Sequence, residues 1–456
     1  MKRIYNKVNI LLLLPALALV ASCHKDASIN ISQPQISAGQ AITSDTLAGS
    51  VKGTLLSGKT YYFSSDITVN AGDTLLMQAG SKLIALGDGL TTETSPQITV
   101  NGTFVSLGTQ DAQNFITVPD DKRINANVGK GFWGGIQCGE ASGDLVIKWT
   151  HLEFAGGPAG PDADPAAYSA GDPRYTILFA NDHANCILED SWIFGSTDDG
   201  MRVLKGRISI MRNTFEACGK AGGESVNLKS GTVGDVAYNL SIGAATNSFK
   251  SSNSGGDSIQ TNVYTYNNTM VNGGLRQVKS GRGGSINYEK GAQGKVYNNI
   301  VVNCRFGLRI TTDADIAHIA YNNQFYYGNA DYFVPQFNAA DGIAKTQSGD
   351  VRGDAAKANN PMFATYDVDM FDYSNVKPPL DIAAMPFSII TAVNYNFSLL
   401  PGSPALKTGF TDFQPLSVVP AGGLYGATIQ GPGVDMGAYQ SDGSGNQHYA
   451  SSLSFK

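Results

Sequence analysis

The stretch Asn268-Thr-Met270-Val, a polar residue before a short apolar run, recurs along the chain as Asn213-Thr-Phe215, Asn239-Leu-Ser-Ile242 and Asn299-Ile-Val301-Val. Asp190-Ser-Trp192-Ile-Phe194 precedes these stretches and Asn323-Gln-Phe325 follows them, so the spacings are 23, 26, 29, 31 and 24 residues. This interval is typical of one coil of a parallel β-solenoid, in which each repeat buries its apolar face against its neighbours. Asparagine tolerates left-handed backbone and hydrogen-bonds its own turn, so stacked asparagines would tie successive coils together.

The composition agrees with a solenoid. The chain has 53 glycines and only 15% charged residues, and short alternating apolar runs recur where helical periodicity is rare. An antiparallel β-sandwich is the alternative, but hairpin signals such as Asn-Gly are sparse between the runs. We therefore expect an all-β solenoid over residues 51–345. Residues 346–456, rich in Pro and Gly, would form irregular loops and a closing coil that caps its exposed end.

The N-terminus predicts export. Residues 1–22 combine a basic head, Lys2, Arg3 and Lys7, with an apolar core that is too short to span a bilayer. Cys23 directly follows small residues, as in a bacterial lipobox, which predicts acylation of Cys23 and a flexible tether over 23–50; a cleaved signal with a chance cysteine is the alternative. We expect a lipid-anchored outer-membrane protein on the cell surface, although the sequence does not decide between the periplasmic and the external face.

Several phrases resemble a known family. They are Gly53-Thr-Leu-Leu, Ala71-Gly-Asp-Thr-Leu75, Gly131-Phe-Trp133-Gly-Gly-Ile136, Leu400-Pro-Gly-Ser-Pro-Ala405 and Asp435-Met-Gly-Ala-Tyr439. Together they resemble the right-handed parallel β-helix proteins of the pectate-lyase-like superfamily, in the lipoprotein form common in Bacteroidetes. The resemblance implies a right-handed, single-stranded parallel β-helix. It is weak for activity, because that family mixes polysaccharide lyases, hydrolases and proteins without known chemistry.

The cysteines fit a solenoid core. Cys218 and Cys304 each follow a repeat asparagine by five residues, so they would share a column about 14 Å apart, beyond the about 7 Å that a disulfide allows. Cys138 and Cys186 occupy other positions. We interpret all four as buried core residues, with one undetected bridge as the alternative, and no closely spaced His and Cys cluster suggests zinc.

The distribution of charged residues is the main indication of function in this sequence. The chain carries a net charge of −6, yet residues 201–310 contain 14 Lys and Arg against five Asp and Glu. An apolar-Lys-small step recurs at Lys205, Lys229, Lys250 and Lys279, close to once per coil, and predicts one stacked lysine column. A second outward column would hold Arg202, Arg276 and Arg309, with Asn227 as its uncharged member. Rows of cations suit a linear polyanion, and for a surface lipoprotein we expect an acidic polysaccharide rather than nucleic acid. Lysines that merely keep the solenoid soluble are the alternative.

The sequence leaves catalysis undecided. A uronate lyase needs a cation for the sugar carboxylate and a base for the C5 proton, and a lysine among other cations has a lowered pKa. The candidates are Lys229, Lys279, Arg276 and Arg282, with Glu224 or Asp257 as candidate ligands of Ca²⁺. For a hydrolase, Asp198 and Asp199 point to opposite faces if they lie in a strand, whereas Asp199 could pair with Glu224 one coil later.

Three further classes of residue stay open. His151, His183 and His318 are isolated and are interpreted as structural, and Trp133 and Trp192 as packing residues. Several tyrosines could stack on sugars and make the protein a glycan-binding module: Tyr264, Tyr266, Tyr288, Tyr326 and Tyr327. A monomeric structural or adhesive solenoid without a small ligand is the remaining alternative.

Overall fold

All pairings between strands are parallel in the computed structural model, which describes residues 36, 39–164, 166–279, 281–371, 373 and 394–449. The strands form an 18-stranded sheet and a 10-stranded sheet, and each strand pairs with its counterpart from the neighbouring coil rather than with the next strand in sequence. The chain is therefore a right-handed parallel β-helix, as predicted. The described residues belong to one unit that runs from Ile31 to Lys456.

The strands are numbered in chain order. They are β1 Gly49–Ser50, β2 Gly53–Leu55, β3 Thr60–Phe63, β4 Ile67–Val69, β5 Thr74–Met77, β6 Lys82–Ala85, β7 Ile98–Val100, β8 Thr103–Leu107, β9 Asn114–Thr117, β10 Ile136–Cys138, β11 Leu145–Lys148, β12 Thr150–Glu153, β13 Ile177–Glu189, β14 Trp192–Phe194, β15 Met201–Met211, β16 Thr214–Glu216, β17 Val226–Leu228, β18 Thr232–Ala237, β19 Leu240–Ile242, β20 Asn247–Ser252, β21 Asn262–Tyr266, β22 Thr269–Val271, β23 Gly284–Glu289, β24 Gln293–Tyr297, β25 Ile300–Val302, β26 Arg309–Ile310, β27 Ile319–Asn322 and β28 Phe325–Tyr327. Three 3-10 turns lie at Asn125–Asn127, Ile316–His318 and Val334–Gln336.

The 18-stranded sheet consists of two ladders. Ladder 1 stacks β1, β4, β7, β10, the first part of β13 and β15, β17, β20, β23 and β26. Ladder 2 stacks β2, β5, β8, β11, the last part of β13 and β15, β18, β21, β24 and β27. Ladder 3 is the 10-stranded sheet, from β3 to β28. Apolar residues of all three ladders meet in one core that runs the length of the solenoid.

The predicted asparagine stack is present. Asn213, Asn239 and Asn268 each donate their backbone N–H to the side-chain oxygen of the asparagine one coil further on, at 2.9–3.0 Å. At the two ends the predicted frame is wrong by one residue, because Ser191 and Gln324 take the positions expected for Asp190 and Asn323. Buried amides that are hydrogen-bonded in this way fix the register of each coil.

We expected one asparagine in each coil both to adopt left-handed backbone and to stack. In the structure these two roles fall on adjacent residues. The residue before each stacking position has a positive φ: Asp190, Arg212, Tyr238, Asn267, Asn298 and Asn323 lie between 50° and 60°. A tyrosine or an arginine adopts this conformation at a cost of about 1 kcal/mol or more, so the surrounding hydrogen bonds must hold it there. At Arg212 and Tyr238 the turn is thus imposed by the stack, whereas Asp190, Asn267, Asn298 and Asn323 are residue types that adopt this conformation more readily.

The ends of the solenoid differ from the predicted boundaries. Parallel bridges already join Ala41 to Thr54 and Thr46 to Tyr62, so the last ten residues of the expected tether belong to the first coil. The C-terminal segment does not only close the end, because it also runs back along the flank. The N–H of Thr428 donates to Glu189 at 2.8 Å, and those of Leu416 and Ser417 donate to Asp235.

A physical reason for this cover lies in ladder 3. Ile300, Val302 and Tyr327 are apolar or aromatic and at most 2% exposed, so this ladder needs a second layer. Gly437 supplies part of it, since a Cβ there would come within 2.5 Å of the Ile300 Cδ1. Segment 361–371 supplies more, where Asp369 accepts a hydrogen bond from the Tyr327 hydroxyl at 2.7 Å. The predicted end cap is therefore largely a lateral cover.

Four cysteines are described, and all of them are free and buried, as expected for core residues: Cys138, Cys186, Cys218 and Cys304. Cys23 and the leader 1–22 lie outside the described residues. Within the described part of the chain, no helix has the length and apolar character needed to cross a membrane.

Candidate functional site

The outer face of ladder 1 carries one polar column, which we call the central column. Strand register stacks Arg202, Asn227, Lys250, Asn287 and Arg309 on consecutive coils. Their neighbours in sequence, such as Met201, Val203, Val226 and Leu228, are at most 1% exposed and point into the core. Because side chains alternate along a strand, the central column faces outward.

The predicted lysine column is wrong in register. Only Lys250 belongs to the central column, whereas Lys229 follows β17 and lies two residues beyond Asn227 on the same face. Lys205 pairs with Ala180 beyond the register shift in β13. Lys279 is exposed in the loop between β22 and β23. Equal spacing in sequence failed to give equal register because the loops between the strands differ in length.

Arg276 does not belong to the outward column that we predicted. Its side chain is 1% exposed, and the guanidinium donates to the backbone carbonyls of Gly243 at 2.8 Å and Cys218 at 3.2 Å. Burial lowers the pKa of Arg276 to about 10. Lys250 takes the place that we expected for it, so Arg276 is a structural clamp on two turns and not a surface ligand.

Two clefts lie over ladder 1. The first, of about 400 Å³, is lined by Glu224, Lys250, Arg282, Asn287 and Arg309, among others. The second, of about 590 Å³, is lined by Arg202, Lys205, Lys229 and Asp257, among others. Members of the central column line both clefts, Arg202 the second and Lys250, Asn287 and Arg309 the first, and we call the two clefts together the groove. Lys279 does not line either cleft, whereas the exposed Arg282 lines the first.

Most cations of the groove have carboxylate partners. Lys250 lies 3.0 Å from Glu289 and 3.9 Å from Glu224, and Lys205 lies 2.9 Å from Glu140. Arg202 pairs with Asp199 at 2.7 Å and stacks on the Tyr175 ring, and Arg309 pairs with Asp341 at 2.6 Å. The positive excess seen in sequence is thus reduced by carboxylates, several of which lie outside residues 201–310.

Besides the exposed Arg282, which has no carboxylate partner among the described residues, Lys229 is the exception. Its side chain is half-buried in the second cleft, and its ammonium makes no hydrogen bond or ion pair with any residue of the described part. Burial, followed by the charges of Lys250 and Arg202, lowers the pKa of Lys229 to about 8. A fraction of this amine is therefore uncharged near neutral pH.

Asp199 and Glu224 meet across one coil, as the sequence suggested. Asp199 accepts hydrogen bonds from the Glu224 N–H at 2.7 Å and from the Asn227 amide at 2.9 Å, and the same amide lies 3.3 Å from a Glu224 oxygen. Burial, followed by the charge of Asp199, raises the pKa of Glu224 to about 8. Burial opposes ionisation of Asp199 as well, but Arg202 and these hydrogen bonds lower its pKa. One carboxylate and one carboxylic acid therefore share this site at neutral pH.

The proposed calcium ligands do not fit that ion. Glu224 and Asp257 line different clefts, and Glu224 already faces the Lys250 ammonium and the amides of Asn227 and Asn247. Calcium needs six to eight oxygen ligands. No group of three or more His, Cys, Asp or Glu side chains is arranged for a metal among the residues that the structure describes.

Most other candidates are packing residues. His151 is fully buried between the rings of Phe115 and Trp192, at 4.4 and 4.2 Å, while His183 is exposed and His318 pairs with Asp315. Trp133 and Trp192 are buried as expected. The tyrosines contradict the idea of an extended stacking platform, because Tyr266, Tyr288, Tyr326 and Tyr327 are at most 1% exposed and only Tyr264 is partly open.

Sequence reasoning missed Asn287, Glu289 and Asp341. Their signal was present only as register, since Asn287 pairs with both Lys250 and Arg309, and Asp341 reaches the groove from a loop. No protein-family model, curated protein or solved structure matches this chain.

Proposed function

We propose that the groove over ladder 1 binds an acidic polysaccharide. One observation carries the proposal: Lys229 is a half-buried cation next to Lys250 and Arg202, and it has no hydrogen-bond or ion-pair partner among the described residues. Such a group is unfavourable unless an anion joins it. A ligand carboxylate beside Lys229 would offset the repulsion, and the surrounding carboxylates, amides and hydroxyls suit the hydroxyl groups of sugars.

The test is affinity for defined acidic oligosaccharides, measured by calorimetry at low and at physiological salt. Binding should weaken with salt, because partly exposed charges are screened. The Lys229→Ala variant should lose most of the affinity, while Lys130→Ala, a lysine that lines neither cleft, should keep it. Retention of full affinity by Lys229→Ala, or no binding to any acidic glycan, would refute the proposal and leave a structural or adhesive solenoid.

A second candidate, cleavage of uronates by β-elimination, is favoured by the paired pKa shifts. Lys229 has an amine that is partly uncharged near neutral pH, and Glu224 retains its proton there. Lys229 would take the C5 proton and Glu224 would protonate the leaving glycosidic oxygen, while Lys250 or Arg202 neutralises the sugar carboxylate. Since Lys229 lines the second cleft and Glu224 the first, the bond that breaks would lie where the two clefts meet. Asp199, ionised beside Arg202, would keep Glu224 protonated as a positioning residue.

The lyase is distinguished from a binding module by its product. β-Elimination creates an unsaturated uronate whose ultraviolet absorbance grows with time, whereas hydrolysis releases reducing ends without that absorbance. An increase in ultraviolet absorbance with the wild type that is lost in both Lys229→Ala and Glu224→Gln supports the lyase. Binding without growth leaves a non-catalytic glycan-binding module, and Arg282→Ala tests the remaining candidate base that lines the groove.

We also propose that the chain is a surface lipoprotein of the pectate-lyase-like superfamily. The support is the lipobox-like sequence before Cys23 and the parallel β-helix that follows it. Metabolic labelling with a fatty acid should mark the wild type and not Cys23→Ala. Equal labelling of both proteins would end the idea, and protease shaving of intact cells would show which face of the outer membrane carries the solenoid.

A further inference from the structure

A column of stacked rings runs along the outer face of ladder 3. Strand register places Phe115, His151 and Trp192 on consecutive coils, and their ring centroids lie 4.4 and 4.2 Å apart. The next position in this register is Thr214, whose side chain has no ring to continue the stack. His448 takes that place from outside the ladder, because its imidazole lies 3.6 Å from the Trp192 ring and at 14° to it. The C-terminal part of the chain therefore adds one ring to a column that the solenoid builds.

His448 fastens residues 441–449, which we call the latch segment, to ladder 3. Its Nδ1 lies 2.7 Å from the Thr214 hydroxyl. The side chain is fully buried, and its Nε2 makes no hydrogen bond with any residue of the described part. Two residues earlier, the Asn446 amide donates to the Asn213 carbonyl at 3.2 Å. A neutral imidazole fits this site, whereas an additional ring proton would have no acceptor.

The surroundings of His448 oppose a positive charge on its ring. Burial is the main cause that lowers the pKa of His448 well below 6.5, and the His151 and Arg212 side chains lower it further. The Asp190 backbone acts in the opposite direction, but its effect is smaller than that of burial. The ring of Trp149, which lies 5.7 Å away, is uncharged. A protonated His448 is therefore more stable in water than in the stack.

A second attachment of the C-terminal part of the chain responds to pH in the opposite sense. Asp235 accepts hydrogen bonds from the backbone N–H groups of Leu416 and Ser417, at 3.0 and 2.9 Å. Burial raises the pKa of Asp235 from 3.8 to about 6, so the stabilisation from its proton is complete below pH 3.8 and is lost as the pH rises through 6. The contribution of His448 is present above pH 6.5 and is lost as the pH falls below that value. Acid should therefore release one attachment and retain the other.

From this geometry we propose that His448 is an acid-sensitive latch. Protonation of the imidazole withdraws it from the Trp192 stack, and the latch segment leaves ladder 3 while the contact with Asp235 stays in place. The face of the Trp192 ring and the Thr214 hydroxyl then meet water. The latch does not depend on the proposed function, because residues 441–449 line neither cleft of the groove. It can therefore be tested without any glycan.

The test is amide hydrogen exchange of the full chain at about pH 7.5 and about pH 5.5, on either side of the pKa of a free histidine. Mass spectrometry reads the exchange of each peptide, and the rates are corrected for the intrinsic effect of pH. Between these conditions the equilibrium for opening a buried neutral histidine shifts about tenfold, so exchange in the latch segment should rise about tenfold. Residues 412–420 and the strands of ladder 3 should keep their protection. No rise in the latch segment, or an equal rise in all of these regions, would overturn the proposal, since the latter result is global unfolding.

Variants separate the latch from other effects of acid. His448→Phe keeps a ring on Trp192 but cannot be protonated, so the rise in exchange at low pH should disappear from the latch segment. His183→Phe is the matched control, because His183 is exposed, and it should behave as the wild type. Thr214→Val removes the hydroxyl that holds the imidazole and should raise exchange in the latch segment about fivefold already at neutral pH. An acid rise that persists in His448→Phe, or neutral-pH exchange that Thr214→Val leaves unchanged, would show that His448 is not the latch.

Discussion

Ladder 1 has an N-terminal half, from β1 to β13, and a C-terminal half, from β15 to β26. Both halves have apolar inward residues, and they differ in their outward residues. In the N-terminal half the outward positions that continue the central column are Thr68, Thr99, Gln137 and Leu178, all uncharged. In the C-terminal half they are the members of the central column, Arg202, Asn227, Lys250, Asn287 and Arg309. The inward neighbours are mainly apolar in both halves, from Ile67 and Val69 to Val226 and Leu228. One scaffold therefore carries two surfaces, and function can change without any change to the core.

The clefts over the two halves differ in charge balance, because the carboxylates that line the first and second clefts are largely balanced by cations there. A third cleft, of about 440 Å³, lies over the N-terminal half and is lined by Asp66, Glu93, Asp162 and Asp164. The cation that lines it, Arg174, is 3% exposed and donates to Gln97 and to the carbonyls of Ser95 and Gly157. A polyanion should therefore be repelled more strongly from this end of the solenoid than from the other.

The largest expected effect breaks the scaffold that both halves share. Asn268 makes stacking bonds to Asn239 and Asn299 and donates to the Val236 carbonyl, whereas Ser191 takes the same role in an earlier coil with fewer bonds. Asn268→Ala should cost about 3 kcal/mol of unfolding free energy and Ser191→Ala about 1 kcal/mol. Chemical denaturation measures both, and equal costs would show that the side-chain stack does not set coil stability.

The next prediction compares glycan binding by variants in the C-terminal and the N-terminal half of ladder 1. Lys229→Met should weaken acidic glycan binding about 10- to 100-fold, as expected for a hydrogen bond to a charged group, while Gln137→Ala should leave it unchanged. Because the pKa of Lys229 is lowered to about 8, wild-type affinity should fall as the pH rises through that value. Lys229→Arg stays charged and should flatten this pH profile. An unchanged profile would remove Lys229 from the binding site.

A third effect concerns the pH dependence of stability. The pKa of Glu224 is raised from 4.5 to about 8, so the folded state holds this proton more tightly than the unfolded state. The stabilisation is complete below pH 4.5 and is lost as the pH rises towards 8. Glu224→Gln should therefore match the wild type at low pH and exceed it by about 1–3 kcal/mol near pH 8. Parallel stability curves for the two proteins would contradict the assignment.

The smallest effect tests the negative charge of the third cleft. Replacing Glu93 and Asp162 together by glutamine and asparagine removes two exposed carboxylates from the third cleft. Affinity for a long acidic polysaccharide should rise about twofold at low salt, and this gain should disappear at high salt. Asp111→Asn, an exposed carboxylate away from the clefts, is the control. A gain that survives high salt would indicate a cause other than charge.

The sequence predicted the solenoid because the stacking asparagine and the apolar run after it are one local unit, and its repetition is visible in Asn213, Asn239, Asn268 and Asn299. It also paired Asp199 with Glu224, since that argument needed only the alternation of one strand and the length of one coil. It placed Arg276 and the lysine column wrongly. Equal spacing in sequence does not give equal register in the sheet. In the loop before β23, Arg276 is buried and Lys279 is exposed, so neither belongs to the central column.

By itself, then, the sequence determined what each coil repeats: a buried strand, a turn and an asparagine to bind the next coil. Only the tertiary structure decided which outward residues share a level. The register of a coil is fixed by hydrogen bonds to its neighbours, and loops of unequal length lie between them. The same is true of charge. Glu140 and Asp341 reach the groove from distant parts of the chain and pair with Lys205 and Arg309. Within the described part of the chain, Lys229 is then the one cation without a carboxylate partner among Arg202, Lys205, Lys229, Lys250 and Arg309.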